Sequence, residues 1–189
     1  MDQAQALLQF TDAITERTLR STVTLTAARG RGKSAALGLG IAAAVAHGYS
    51  NIFVTSPSPE NLKTLFEFII KGFEALKYQE HTDFNIVEST VADFNKAVVR
   101  LNIYRNHRQT IQYILPNEAH HLGQAELVVI DEAAAIPLPL VKQLIGSYLV
   151  FMASTVNGYE GTGRYELVYM FSNFGDMKSG ITCFTELFL

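Results

Sequence analysis

The sequence predicts an α/β fold, a mainly parallel sheet with helices on both faces. Three observations carry this. From Thr22 to Ser154, short apolar or β-branched runs alternate with longer amphipathic or Ala-rich stretches. One run, Leu127-Val128-Val129-Ile130, is apolar without a break, as a strand buried on both faces is. A glycine-rich turn, Ala27 to Ser34, joins the first strand-like run to the first Ala-rich stretch. Strand, glycine-rich turn, Gly-Lys-Ser and helix, in that order, form the context of a phosphate-binding loop. The fold class is therefore a RecA-like P-loop NTPase lobe, with its ligand site at the C-terminal edge of the sheet.

Each element has a local reason. Asp2 to about Arg20 reads as an amphipathic helix, with Leu7, Leu8, Phe10 and Ile14 as core contacts. Thr22–Thr26 is the first strand. Lys33 to about His47 is the next helix, and its Ala and Gly residues allow close packing on a sheet. Asn51–Thr55 is the second strand, broken by Ser56-Pro57-Ser58-Pro59. Glu60 to about Tyr78 returns to helix, with Leu62, Leu65, Phe66, Ile69 and Phe73 on one side. Ala97–Tyr104 and Gln109–Leu115 alternate around Arg105-Asn106-His107-Arg108, as a β-hairpin or as two strands meeting at a turn. Glu126–Ile130 is a strand. Pro137 and Pro139 flank the start of a helix reaching about Ile145, and Tyr148–Ser154 is a further buried strand.

Composition narrows the function. The 189 residues suffice for one sizeable α/β domain. A formal charge of -3 gives no support for an RNA-binding face. The single cysteine, Cys183, excludes a disulfide framework and a Cys-based zinc site, which suits a reducing compartment. No apolar stretch approaches the ~20 residues that span a bilayer, so no membrane association is expected. Met1 to Gln5 lack the basic and apolar regions of a signal peptide. His47, His81, His107, His120 and His121 show no metal-ligand pattern; His120 and His121, adjacent, are expected to point to different faces at the surface.

Two motifs carry chemistry. In Ala27-Ala28-Arg29-Gly30-Arg31-Gly32-Lys33-Ser34, backbone N–H groups and the following helix N-terminus would wrap a phosphate. Ala35 and Ala36 continue that first turn. Lys33 would reach the β- and γ-phosphates of ATP, and Ser34 would take one Mg²⁺ position. The loop departs from the usual pattern in having Ala27 where a glycine normally stands. The second motif is Asp131-Glu132, at the end of the buried run. Asp131 would hold Mg²⁺ and Glu132 would polarise the attacking water, which favours hydrolysis over transfer to a small acceptor. A small-molecule kinase remains the alternative enzyme, and a non-enzymatic truncated fragment the alternative non-enzyme.

Weaker signals stay open. Val54 to Pro59 could touch a substrate strand or simply turn the chain. Ser154-Thr155 and the glycine-rich Asn157 to Arg164 could sense a γ-phosphate or form a flexible loop. Gln3, or less readily Gln5, could reach an adenine edge with its amide or simply face solvent on the helix. Arg105 and Arg108 could grip phosphate or sit on a solvated hairpin tip.

Thr26 to Ser34, Ile52 to Pro59, Gly123 to Pro137 and Phe151 to Arg164 together closely resemble the helicase-like ATPase module of the RNA cytidine acetyltransferases, in the eukaryotic branch. Ala at the first loop position belongs to that family's own loop. The resemblance implies ATP binding along Ala27 to Ala36, with Asp131 and Glu132 serving hydrolysis. It implies a parent that makes N4-acetylcytidine in small-subunit rRNA and in tRNA, using acetyl-CoA and ATP. It implies guide RNAs or an adaptor protein as partners, and the nucleolus as location. No acetyl-CoA loop is recognisable in this chain; the acetyltransferase domain, second lobe and RNA-binding tail are expected beyond it. The resemblance covers 1–164, the expected ATP-binding lobe. Residues 165–189 are expected to be a divergent tail foreign to the family, of the kind a translated intron would give.

Overall fold

In the computed structural model the described residues are 2–16, 21–155 and 187–188. Helix α1 spans Asp2–Glu16, β1 Thr22–Ala27, α2 Lys33–Ala46, β2 Asn51–Thr55 and α3 Lys63–Ala75. Three strands follow, β3 Phe84–Glu88, β4 Val98–Ile103 and β5 Gln109–Tyr113. Then come β6 Leu127–Ile130, α4 Leu138–Leu144, β7 Leu149–Thr155 and a two-residue β8, Leu187–Phe188.

The strands form one sheet in the order β3-β4-β5-β2-β6-β7-β1-β8. From β5 through β8 every neighbouring pair is parallel. β3 and β4 are antiparallel to their neighbours and close one edge. β6 and β7 lie between β1 and β2, so the chain crosses over them through α2. The ends of β1, β7 and β6 therefore stand side by side at one edge of the sheet.

Side-chain alternation splits the core in two. Leu127 and Val129 of β6 face α1, α2 and α3, packed with Phe10, Leu37, Ile41, Leu65 and Ile69. Val128 and Ile130 face the other way, with Ile136, Val141 and Leu144. All four positions are fully buried, which is why this strand reads as an uninterrupted apolar run.

The helix packing refines the expectations. Leu8 is 64% exposed, and Ala6, Phe10 and Ile14, at i, i+4 and i+8, form the buried face instead. The glycines of α2 serve helix–helix contact as well as the sheet. A Cβ on Gly38 would lie 2.5 Å from the Leu65 carbonyl oxygen of α3, and one on Gly40 3.1 Å from the Phe10 ring of α1. A Cβ on Gly72 of α3 would likewise lie 2.5 Å from the Ala42 Cβ of α2. The helix expected from Glu60 begins as a 3-10 turn, Pro59–Leu62, and becomes α-helical only at Lys63.

The stretch from Ala97 to Leu115 is a hairpin, with Ile103 opposite Gln109. β3 has no counterpart among the expected elements. It is an edge strand whose last residues, Val87 and Glu88, are exposed, so its apolar alternation is weak. Gln109 explains how the sheet meets α2. Its Nε2 donates to the carbonyls of Val45 and Tyr49, both at 2.8 Å, and so satisfies the end of that helix. Among the described residues no helix is long and apolar enough to cross a membrane.

Candidate functional site

The loop after β1 is shaped by two glycines. Gly30 and Gly32 have φ of 79° and 80°, left-handed values that any L side chain would strain. No atom lies within 4 Å of where a Gly30 Cβ would sit, so conformation, and not space, requires glycine there. Gly32 precedes the first turn of α2, where its carbonyl accepts from Ala36 N–H at 3.0 Å. Ala28, Arg29, Gly30 and Arg31 are exposed along the loop, while Ala27, Ala35 and Ala36 are buried beneath it.

Lys33 is the buried cation of this loop. Its Nζ donates to the carbonyls of Ala27 and Ala28, each at 3.0 Å. The side chain thus folds back under the loop and ties its two ends. Burial holds the ammonium below the usual lysine range, opposed by the charges of Asp131 and then Glu132.

Asp131 sits at the end of β6 and is 1% exposed. Its N–H donates to the Thr55 carbonyl at 3.0 Å, which continues the β2–β6 ladder one step past the strand. Its Oδ1 accepts from Glu132 N–H at 2.9 Å. Its Oδ2 is buried without a hydrogen-bond partner of good geometry. Burial raises the carboxyl above the usual carboxylate range, opposed first by the Ser34 hydroxyl beside it. A buried carboxylate beside a hydroxyl is a pair of hard oxygen donors of the kind that divalent cations take together with phosphate oxygens. Among the described residues there is no group of three or more His, Cys, Asp or Glu that could hold a metal alone.

Glu132 is exposed and adopts φ 53°, an unusual conformation for a residue with a side chain. Its Oε2 accepts from Asn61 Nδ2 at 2.9 Å. Sequence reasoning does not single out Asn61. It lies 71 positions away, in the 3-10 turn after β2, and only the pairing of β2 with β6 brings the two together.

The remaining expected residues are placed as follows. Ser56 is buried and donates to the Ser58 carbonyl at 2.5 Å, stabilising the turn out of β2 at the same sheet edge. Ser154 and Thr155 end β7 and pair with Thr26 and Ala27, against the base of the loop. The expected loop from Asn157 to Arg164 lies outside the described residues, as does the side chain of Gln3 on α1. Arg105 and Arg108 are on the β4–β5 turn, at the opposite edge of the sheet from Lys33. Arg105 donates to the Leu76 carbonyl at 3.0 Å and lies over the Tyr78 ring at 4.4 Å, so it docks α3. His120 and His121 are exposed, but their rings are 4.1 Å apart. A 3-10 turn at Ala119–Gln124 brings together rings that adjacency alone would turn apart.

The sequence matches the family described as RNA cytidine acetyltransferase NAT10/TcmA, helicase domain, over residues 24–178. The chain belongs to that family. It is 75% identical to the RNA cytidine acetyltransferase of Saccharomyces cerevisiae over 164 residues, 87% of this chain and 16% of the yeast protein. The human enzyme is 74% identical over the same coverage, and that of Arabidopsis thaliana 65%. The chain thus spans about a sixth of the length of these relatives. Among solved structures, the large terminase of a thermophilic bacteriophage superposes with a TM-score of 0.67, at 10% identity, over 100% of this chain and 45% of the terminase. The same terminase in complex with ATP-γ-S gives 0.63 at 12% identity, over 100% of this chain and 44% of that one. The large terminase ATPase domain of a Thermus phage gives 0.52 at 17% identity, over 86% of this chain and 67% of that one. At such identities the likeness concerns the fold, a RecA-like α/β lobe.

Proposed function

We propose that this lobe binds ATP with Mg²⁺ and serves as the ATPase part of an enzyme that acetylates cytidine in RNA. The observation that carries the reading is the convergence at one sheet edge of Lys33, Ser34 and the partner-less Asp131 Oδ2. Lys33 exchanges its two carbonyl acceptors for β- and γ-phosphate oxygens. The loop N–H groups from Ala28 to Ser34, with the first turn of α2 through Ala35 and Ala36, wrap the phosphates. Ser34 and Asp131 hold Mg²⁺, which neutralises phosphate charge when bound. Glu132 orients a water toward the γ-phosphorus. The new P–O bond forms as the bond to ADP breaks, and the water's proton passes by way of the carboxylate to the released phosphate. Gln3 is proposed at the adenine edge.

By relation to the family, the whole enzyme makes N4-acetylcytidine in small-subunit rRNA and tRNA in the nucleolus, with guide RNA or an adaptor as partners. Acetyl-CoA is used by parts outside this chain. In two-lobed ATPases a second lobe supplies an arginine to the γ-phosphate, worth roughly 10³–10⁵ in rate. The chain alone therefore binds ATP without measurable steady-state turnover or acetyl transfer. The lobe is proposed to be 1–164, with 165–189 a divergent tail.

A thermal-shift titration with ATP-Mg²⁺ tests this, beside Lys33→Ala. A ligand-dependent rise lost in the variant supports the reading. A cooperative melt that ATP does not move contradicts it, and steady-state ATPase abolished by Lys33→Ala contradicts the claim of inactivity alone.

A further inference from the structure

We propose that the outward face of the β3-β4-β5 strands is a platform that binds single-stranded RNA. It rests on the reading of the chain as part of an RNA-modifying enzyme, and it lies at the far side of the sheet from the phosphate loop. Side-chain alternation builds it. Phe84, Leu101, Ile103 and Ile111 turn toward α2 and α3 and are buried. The alternate positions turn outward and form two rows in register. Asn85, Asn102 and Thr110 stand side by side in one, and Val87, Arg100 and Gln112 in the next. Val87 is exposed and the others are half-buried. On this side of the sheet the second core, with α4, covers β6 and β7, and none of these residues belongs to it.

Two residues at the hairpin end extend the face. Tyr104 N–H donates to the Asp83 carbonyl at 2.8 Å, which carries the β3–β4 ladder one step on. Its ring, 48% exposed, therefore stands on the side of Asn102, while the next residue, Arg105, turns to α3. Arg108 precedes Gln109, whose amide points the other way to Val45 and Tyr49, so the exposed Arg108 belongs to the outward side.

Solvated surfaces intersperse both signs of charge. The two rows hold no carboxylate, and their one charge is Arg100, braced by Gln112 Oε1 at 2.6 Å. Asp83, the preceding outward position on β3, is engaged by Gln79 N–H at 2.9 Å. The chain's net charge of -3 is thus not the charge that this face presents. Two arginines suit phosphates, and an exposed tyrosine ring suits a stacked base. The amides both donate and accept, which suits base edges and 2′-hydroxyls. Bases in a duplex are shut inside the stack, so the fitting ligand is single-stranded.

The test is fluorescence anisotropy of the chain with a labelled oligouridylate of about eight nucleotides, at low salt and without ATP. Saturable binding is expected. Tyr104→Ala is expected to weaken it about five- to hundredfold, the loss of one base stack, while Tyr104→Phe keeps it. Arg100→Ala is expected to weaken it and to flatten the slope of log association constant against log salt by about 0.7. Lys71→Ala removes an exposed cation from α3, on the other side of the sheet, and is expected to change nothing. A cooperatively folded chain that binds no oligouridylate overturns the proposal and leaves the face to a protein partner. Binding that Lys71→Ala weakens as much as Arg100→Ala overturns it too, as does equal affinity for duplex RNA. The Asn102 side-chain amide resonance must move as RNA is added, and a resonance that stays in place while RNA binds overturns the assignment to this face. A chain that binds ATP but no RNA tells against the platform alone, and one that binds RNA but no ATP tells against the ATPase reading alone.

Discussion

Asp131→Asn is predicted to stabilise the nucleotide-free chain while abolishing its response to ATP-Mg²⁺. Asp131 is 1% exposed, and its Oδ2 has no hydrogen-bond partner of good geometry. Burial raises its carboxyl above the ordinary value of 3.8. The native state therefore binds the proton more tightly than the unfolded chain does. Between the unfolded and folded values the unfolded state holds fewer protons, so stability falls as pH rises through that window. Wherever Asp131 is ionised, the native state carries the cost of a buried charge. An asparagine removes that charge, keeps an oxygen to accept from Glu132 N–H, and places an amide beside the Ser34 hydroxyl, which can accept from it. Lys33 loses a neighbouring anion, but its two carbonyl acceptors remain. Relief of one such strain is commonly worth about 0.5–2 kcal/mol. At roughly 2–4 °C per kcal/mol for a chain of this size, Tm should rise by about 1–8 °C at pH 7. The gap should shrink as pH falls toward the ordinary carboxylate range. Differential scanning fluorimetry across pH, with and without ATP-Mg²⁺, is the assay. A variant that melts below wild type at pH 7, or that keeps the ATP-dependent rise, would refute the reasoning.

Three further predictions concern the frame around the site. Gly38→Val should destabilise by about 1–3 kcal/mol, because its side chain meets the Leu65 backbone oxygen; urea unfolding monitored by circular dichroism measures it. Gln109→Leu should cost about 0.5–1.5 kcal/mol for each of the two hydrogen bonds it removes, to the carbonyls of Val45 and Tyr49 at the end of α2, and hydrogen exchange should speed up in that last turn. Phe10→Ala should cost about 3–5 kcal/mol, whereas Leu8→Ser should stay within about 0.5 kcal/mol, in the same urea assay.

What the sequence shows of this fold depends on how many physical demands meet at one residue. At β6 both faces are buried, so all four positions must be apolar and the strand is visible without periodicity. Gly30 and Gly32 answer a left-handed backbone, a requirement few other residues meet, and the loop is legible for that reason. β3 carries weaker demands, because it lies at an edge and is half solvated. The inward face of α1 is only partly legible, because Ala6 is small enough to look neutral while Leu8 looks like core. Gln109 and Asn61 are polar residues whose roles exist only across long sequence separations. No local pattern marks a side chain that caps a helix 64 positions away or binds a carboxylate 71 positions away.

The central claim is that the loop from Ala27 to Ser34 is a working ATP site. Equilibrium binding of a fluorescent ATP analogue to the purified chain tests it most directly, with Mg²⁺ and with chelator, beside Lys33→Ala. The account predicts saturable binding at one site, weakened without Mg²⁺ and lost in the variant. A cooperatively folded chain that binds no nucleotide, or one whose binding is the same in Lys33→Ala, would contradict it.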